Sequence, residues 1–288
     1  MQPHASVRAR VSIDALEIVP GGTYVDATFG AGGHTRLILA RLGPAGRAIA
    51  FDADPGAARY APDDARFTLV HANFRTLAAE LGERGLPPVD GVLYDLGVSS
   101  MQLDEGERGF SFRVDAPLDM RLDTSRGETV AEFIESHEEE EIANAIYTFG
   151  EERNSRRIAR AIKTRLPKTT SELAGIVAGV MHVRGKRERI HPATKTFQGL
   201  RIAVNDELGA LRESLDAAVR VTRPGGRIAV ISFHSLEDRI VKLFFREDER
   251  VRAVTRKPIV PGDDEIAVNP RARSAKLRVA AIESEEAA

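Results

Sequence analysis

The chain reads as an α/β protein, a Rossmann-like doubly wound sheet carrying an inserted all-helical segment. Three observations predict this class. Short β-rich runs alternate with helical stretches through the first hundred residues, and the pattern resumes after about residue 200. A glycine-rich turn, Gly30-Ala-Gly32-Gly33, follows the first β-rich run. From about 101 to 199 no convincing strand occurs, while helix start and stop signals follow one another. Such βαβ alternation implies a parallel sheet with helices on both faces. The expected division is therefore 1–100 with 200–288 for the sheet domain and 101–199 for the helical insert.

Each element has its own justification. Tyr24 to Thr28 is a short strand, and the helix His34 to Leu42 is stopped by Gly43-Pro44. Arg47 to Phe51 is a second strand that runs into Asp52; Phe67 to His71 and Gly91 to Tyr94 are the third and fourth. The stretch Phe74 to Gly85 between the last two is helical. In the insert, Ser136-His-Glu-Glu139 has the capping-box spacing ahead of a helix ending at Gly150. Arg153 to Leu166 is a further helix stopped by Pro167, and Thr169-Thr-Ser-Glu172 is a second capping box opening Leu173 to Val183. A long helix is expected from about Leu200 to Val221. Pro224-Gly-Gly226 then turns into the strand Arg227 to Phe233, followed by a helix Leu236 to Arg246. Last strands are expected near Val251 to Thr255 and Lys276 to Ile282.

Composition excludes several chemistries. The 288 residues contain no Cys, which removes disulfide scaffolds, Cys-ligated zinc, iron–sulfur clusters and Cys nucleophiles. No stretch approaches the roughly 20 uncharged apolar residues of a membrane span. Met1 to Pro20 carries Arg8, Arg10, Asp14 and Glu17 without an apolar core, so no signal peptide is expected, and the missing cysteines fit a cytoplasmic compartment. A net charge of −2 conceals segregation: −9 over 101–141, +9 over 151–201 and +5 over 250–278. Two basic segments of that kind can bind phosphates.

Asp26-Ala-Thr-Phe-Gly30-Ala-Gly32-Gly33-His34 lies at a strand-to-helix junction, where glycines let the backbone pass close to a ligand. Asp52, with Asp54 behind it, ends the next strand about twenty positions on, where a carboxylate can accept both ribose hydroxyls of a nucleoside. Dinucleotides and S-adenosylmethionine are both held this way. The dinucleotide pattern G-x-G-x-x-G requires its third Gly at position 35, which is Thr35 here. The Asp-led turn fits S-adenosylmethionine better, since that ligand has no pyrophosphate. A purely structural turn is the plain alternative. Asp95-Leu-Gly-Val-Ser-Ser100 ends the fourth strand and faces the same crevice.

Several ordered segments carry a resemblance. They are Tyr-Val-Asp-Ala-Thr-Phe-Gly-Ala-Gly-Gly-His from Tyr24, Asp-Leu-Gly-Val-Ser-Ser from Asp95, Glu-Arg-Gly-Phe-Ser-Phe-Arg from Glu107 and Pro-Leu-Asp-Met-Arg from Pro117. Gly-Glu-Glu-Arg from Gly150 and Ile-His-Pro-Ala-Thr-Lys-Thr-Phe-Gln from Ile190 follow, then Val-Ile-Ser-Phe-His-Ser-Leu-Glu-Asp-Arg from Val230 and Asn-Pro-Arg-Ala-Arg-Ser-Ala-Lys-Leu-Arg from Asn269. Together they resemble the bacterial 16S rRNA cytosine-N4 methyltransferase family (RsmH/MraW). His4-Ala-Ser-Val7-Arg8 and Met101 before Gln102 depart from the family's usual pattern. The resemblance implies a class I methyltransferase fold with S-adenosylmethionine as cofactor; the sulfonium of that cofactor is already activated, so no metal is expected. It implies a methyl acceptor in the decoding region (P site) of 16S rRNA, within the small ribosomal subunit. Carried over by position, the cofactor contacts are Gly32, Gly33, His34, Asp52, Phe74, Asp95 and Gln102.

The exocyclic amine of cytosine shares its lone pair with the ring, so an N–H acceptor is needed to return electron density to nitrogen. Asp95, with the adjoining Leu96 and Gly97 carbonyls, is the candidate. Ser232 and His234, in Ser-Phe-His-Ser after a strand, are pocket candidates, although Ser235 with Asp238 also resembles a helix cap. Phe74 can stack on adenine or fill core. RNA contacts are expected at Arg187, Arg189, His191 and Lys195, and at Arg271, Arg273 and Lys276 near the C-terminus. The chain is expected to be a monomer or homodimer. Other readings are a methyltransferase for DNA adenine or a small molecule, an NAD-dependent dehydrogenase, and a non-catalytic RNA-binding factor.

Overall fold

The computed structural model describes residues 9–181 and 191–283. It divides into two compact units, residues 1–97 with 208–288, and residues 98–207. The first unit begins with α1 (Ala9–Ala15), β1 (Thr23–Asp26), α2 (Gly33–Leu39), β2 (Arg47–Asp52), β3 (Phe67–His71), α3 (Leu77–Glu83) and β4 (Val89–Asp95). The chain then enters the second unit with α4 (Ser100–Asp104), α5 (Val130–Ser136), α6 (Glu139–Gly150), α7 (Ser155–Arg165), α8 (Thr170–Val180) and α9 (Ala193–Asn205). It returns through α10 (Glu207–Val221), β5 (Thr222–Ser232), α11 (Ser235–Glu247), β6 (Val251–Ala253), α12 (Asp263–Val268) and β7 (Lys276–Ile282).

The seven strands form one sheet in the order β3-β2-β1-β4-β5-β7-β6. The first five are parallel, whereas β7 runs antiparallel to both β5 and β6. Strand order reverses between β1 and β4, which opens a crevice beyond their carboxyl ends. Both faces of the sheet are covered. On one, Val25, Phe51, Val92, Tyr94 and Val230 pack with Leu77 of α3, Leu211 and Leu215 of α10, and Phe245 of α11. On the other, Tyr24, Leu93, Ile231 and Leu277 pack with Ile13 of α1 and Ile38 of α2. Successive side chains in a strand point to opposite faces, so a doubly covered strand reads as a continuous apolar run. Val92-Leu-Tyr94 is such a run.

The helical unit has its own core. Val130 and Ile134 of α5, Ile142 and Ile146 of α6, Ile158 and Ile162 of α7, Leu173 and Val177 of α8 and Leu200 of α9 are all fully buried together.

Two expectations need correction. The helix expected from Leu200 to Val221 is two helices broken at Asp206, whose φ of 46° is left-handed. Asn205, the last residue of α9, is held beside the break: its amide donates to the Met120 carbonyl at 2.8 Å and accepts from Leu122 N at 2.7 Å. The joint between units falls at this bend, so α9 belongs to the helical unit. The capping box expected at Ser136 instead runs from Glu138 to Glu141, whose Oε2 accepts from Glu138 N at 2.9 Å. Ser136 is the last residue of α5, and its hydroxyl donates to the Glu132 carbonyl. The four strands of the first hundred residues pair in parallel, as expected, and β7 runs antiparallel to its neighbours, which makes the whole sheet mixed. The Thr169–Glu172 box forms as expected.

Candidate active site

Three neighbouring strands of the first unit end in carboxylates: Asp26 on β1, Asp52 on β2 and Asp95 on β4. Each is tied to the turn that follows a strand. Asp26 is 1% exposed; it accepts from Thr35 Oγ1 at 2.7 Å and from Thr28 N at 3.2 Å. Asp52 accepts from Gly30 N at 2.7 Å through one oxygen and from Asp54 N at 2.8 Å through the other. A carboxylate oxygen has two lone pairs, so both oxygens keep capacity for ribose hydroxyls. Asp95 N donates to Thr28 Oγ1 at 2.7 Å, which joins the first turn to the end of β4. Thr28 and Thr35 thus lock the glycine turn from both sides. The residue that spoils the dinucleotide pattern has a structural use here, as the tether of Asp26.

The turn itself is tight. Gly32 has φ 74°, and a Cβ there would lie 2.8 Å from the Phe29 ring. A side chain at that position is opposed both by its backbone angle and by that ring. Gly33 opens α2, and His34 follows it, 4% exposed.

His34 Nδ1 lies 3.5 Å from Asp95 Oδ2. The remaining atoms of this pair, His34 Nε2 and Asp95 Oδ1, are buried without a hydrogen-bond partner among the described residues. Buried polar atoms are nearly always satisfied, so two orphans at one strand end mark a binding site. Burial pushes the Asp95 carboxyl up to about 6; the His34 ring opposes the shift, and Asp26 and Glu237 add to it. Burial likewise pushes Asp52 up to about 6 and raises Asp26, against the hydrogen bonds that hold each. Perturbed carboxyls gathered in a crevice are characteristic of functional sites.

The other wall is the β5–α11 junction. His234, not Ser235, is the N-cap of α11: its Nδ1 accepts from Glu237 N at 3.4 Å. Glu237, 3% exposed, answers by accepting from Phe233 N at 2.8 Å and His234 N at 3.3 Å. His234 Nε2 is 3.1 Å from Glu237 Oε1, but the alignment makes no hydrogen bond. Asp238, expected as the cap's partner, pairs instead with Arg278 at 2.8 Å and Lys276 at 3.1 Å. Those two cations hold the Asp238 carboxyl below the usual carboxylate range despite its burial. Ser232 is 2% exposed and its hydroxyl donates to the Lys276 carbonyl on β7, an in-sheet role.

The remaining expected residues are dispersed. Phe74 is half-buried, edge-on to Tyr94 with ring centroids 5.8 Å apart. Gln102 lies in the helical unit, where its Oε1 accepts from Ser99 N at 3.0 Å in a capping box. His191 packs on Phe112 at 4.6 Å, and Lys195 donates to the Glu151 carbonyl. Arg271 and Arg273 are exposed on a short turn, while Lys276 is engaged by Asp238. Arg187 and Arg189 lie outside the described residues. Asp26, Thr28, Thr35 and Glu237 were not anticipated as site residues. Their signal was available for two: an acid leading a glycine turn, and Glu at the N3 position after His234.

No helix among the described residues is long and apolar enough to cross a membrane. Nor do they contain a group of three or more His, Asp or Glu side chains arranged to hold a metal ion. What the crevice does contain suits a nucleoside bearing a charged tail: paired acceptors at Asp52, an unfilled acceptor at Asp95, and a turn with no room for a side chain at Gly32. With five parallel strands and an antiparallel final pair behind that cradle, the fold is that of a class I methyltransferase. More specifically, the chain belongs to the MraW methylase family, whose model matches residues 1–283. It is 50% identical to "Ribosomal RNA small subunit methyltransferase H" of Chromobacterium violaceum, covering 96% of this chain and 94% of that protein. Proteins of the same name from Sorangium cellulosum and Nitrosomonas eutropha are 51% and 49% identical. The match covers 97% of this chain and 90% of the first, and 96% of this chain and 96% of the second.

Proposed function

We propose that the protein methylates the exocyclic N4 amine of a cytidine in the decoding region (P site) of 16S rRNA. The observation that carries this reading is Asp95, a recessed carboxylate at the end of β4 with one buried oxygen unpartnered. The name shared by the relatives supports ribosomal RNA of the small subunit as substrate. S-adenosylmethionine, when bound, supplies a methyl group already activated on a sulfonium, so no metal is required for the transfer.

The chain's own residues have distinct tasks. Asp52 takes the ribose hydroxyls, and Gly32 and Gly33 let the backbone approach. His34 sets the orientation of Asp95 through its Nδ1 contact. Phe74, packed against Tyr94, is the ring on which the adenine stacks. Asp95 accepts an N–H of the target amine, which restores lone-pair density to a nitrogen otherwise conjugated with the ring. A carboxyl held near 6 is ionised at neutral pH yet more basic than an ordinary Asp. His234, fixed by Glu237, borders the acceptor. Positioning of the amine in line with the transferred methyl supplies much of the remaining acceleration. In the helical unit His191 and Lys195, and in the sheet unit Arg271 and Arg273, are the proposed RNA contacts.

Incubation of small ribosomal subunits lacking the modification with isotopically labelled S-adenosylmethionine, followed by nucleoside mass spectrometry, tests this reading. Label is expected in N4-methylcytidine. Label in another nucleoside would assign a different acceptor, and no label in RNA would remove the proposed substrate.

A further inference from the structure

We propose that the solvent face of α7 is a docking surface for the sugar–phosphate backbone of RNA, on the reading above that the substrate is ribosomal RNA. Residues 153–171 carry seven cations and no carboxylate. Folding accounts for some of them. Lys163 donates to the Ile134, Glu135 and His137 carbonyls and so closes the end of α5, and Lys168 pairs with Glu135.

The arginines are different. Ser155, Ile158, Ala159 and Ile162 form the buried side of α7. At 100° per residue, Arg156, Arg157 and Arg160 fall together on the opposite side, in one stripe, and Arg153 stands in the turn just before the helix. All four are exposed. Arg153 and Arg156 make no hydrogen bond or ion pair with any described residue. Arg157 reaches only the Val180 carbonyl at 3.4 Å, and Arg160, 76% exposed, lies 3.5 Å from Glu139. Like charges three and four residues apart oppose helix formation, and cations near a helix N-terminus oppose its dipole. The stripe therefore works against the fold that carries it, which points to a use outside the fold.

The chemistry selects a phosphate backbone. Every member is Arg, whose planar fork binds phosphate bidentately and sheds water more readily than an ammonium. The stripe has no apolar centre, unlike a protein–protein interface. From Arg156 to Arg160 the axial rise is about 6 Å, which matches about two successive phosphates of one strand, with Arg153 placed ahead of them.

The test measures binding of a fluorescent fragment of unmodified small-subunit rRNA across a salt series. The triple variant R153A/R156A/R160A is compared with the unaltered protein, with melting temperature and S-adenosylmethionine affinity as controls. The expected result is a salt slope lower by about 2 to 3 and binding at least tenfold weaker near 0.1 M salt, with both controls unchanged. A triple lysine variant should restore the slope and part of the affinity, which also guards against loss through misfolding. An unchanged slope in the triple alanine variant would overturn the inference. So would displacement of the RNA by polyglutamate as effectively as by unlabelled RNA, since that would make the face a site for acidic protein. If the unaltered protein binds RNA through this face but methylates none, the docking surface stands and the proposed methylation fails.

Discussion

Asp95 holds its proton more tightly in the folded chain than a free carboxyl does, about 6 against 3.8, chiefly because it is buried. Asp52 behaves alike. Between about pH 4 and 6 the folded state therefore keeps protons that the unfolded chain has released, and stability declines as pH rises through that window. At neutral pH an ionised Asp95 opposes folding, by roughly 2–3 kcal/mol as an upper figure. Asp95→Asn, which removes the buried charge at equal size, should thus raise the melting temperature of donor-free protein at pH 7.5 and have little effect at pH 4. A melting temperature lowered at both pH values would show that the carboxylate is structural. The same titration predicts that single-turnover methyl transfer falls away below about pH 6, as Asp95 gains its proton and can no longer accept an amine N–H. At the glycine turn, Gly32→Ala places a methyl group in a left-handed backbone against Phe29, with a conformational penalty of about 1–2 kcal/mol. Donor affinity measured by calorimetry should drop tenfold or more. These single positions differed in how far they could be read in advance. Asp52 and Asp95 end apolar β-runs and declare themselves, whereas Thr28 reveals its bond to Asp95 N only when β1 and β4 lie side by side.

At the scale of elements, local signals located most strands well, and long-range contacts decided the exceptions. β3 and β7 occupy the spans expected from their β-rich runs. The break between α9 and α10 was not legible; beside it Asn205 bonds residues more than eighty positions away, which no local signal announces. Periodicity continues through Asp206 regardless. The start of α11 was misread for a different reason. His is an unusual N-cap, and the neighbouring Ser235 and Asp238 have the commoner residue types. Glu237 is the keystone of that junction, since Phe233 N and His234 N both depend on it. Glu237→Ala should lower stability by about 1–3 kcal/mol through unsatisfied backbone donors. Glu237→Gln, which retains an acceptor, should recover much of that loss in a denaturant titration. Equal losses in both variants would mean that the charge, not the hydrogen bonds, holds the junction.

For the whole molecule, a near-neutral total charge concealed the segregation that matters. The acidic stretch 101–141 and the basic stretch 151–201 both lie within or mainly within the helical unit, so that unit is strongly polarised along its sequence. Its core is separate from the two clusters that sandwich the sheet. Ile158→Ala, at a fully buried position, should cost about 2–5 kcal/mol. Hydrogen exchange should show the lost protection in α5–α9, with the amides of β1–β5 retaining theirs. Loss spread evenly over both units would show one cooperative body. The division of labour follows: the sheet unit presents the carboxylates, and the helical unit presents arginines. The claim on which the rest depends is that the carboxylate of Asp95 acts on the acceptor amine. Donor affinity by calorimetry, set beside single-turnover methyl transfer to unmodified small subunits for Asp95→Asn, tests it most directly. The expected result is an affinity within about tenfold of that of the unaltered protein and a transfer rate lower by about 10²–10⁴. Full transfer rate with ordinary donor affinity would contradict it.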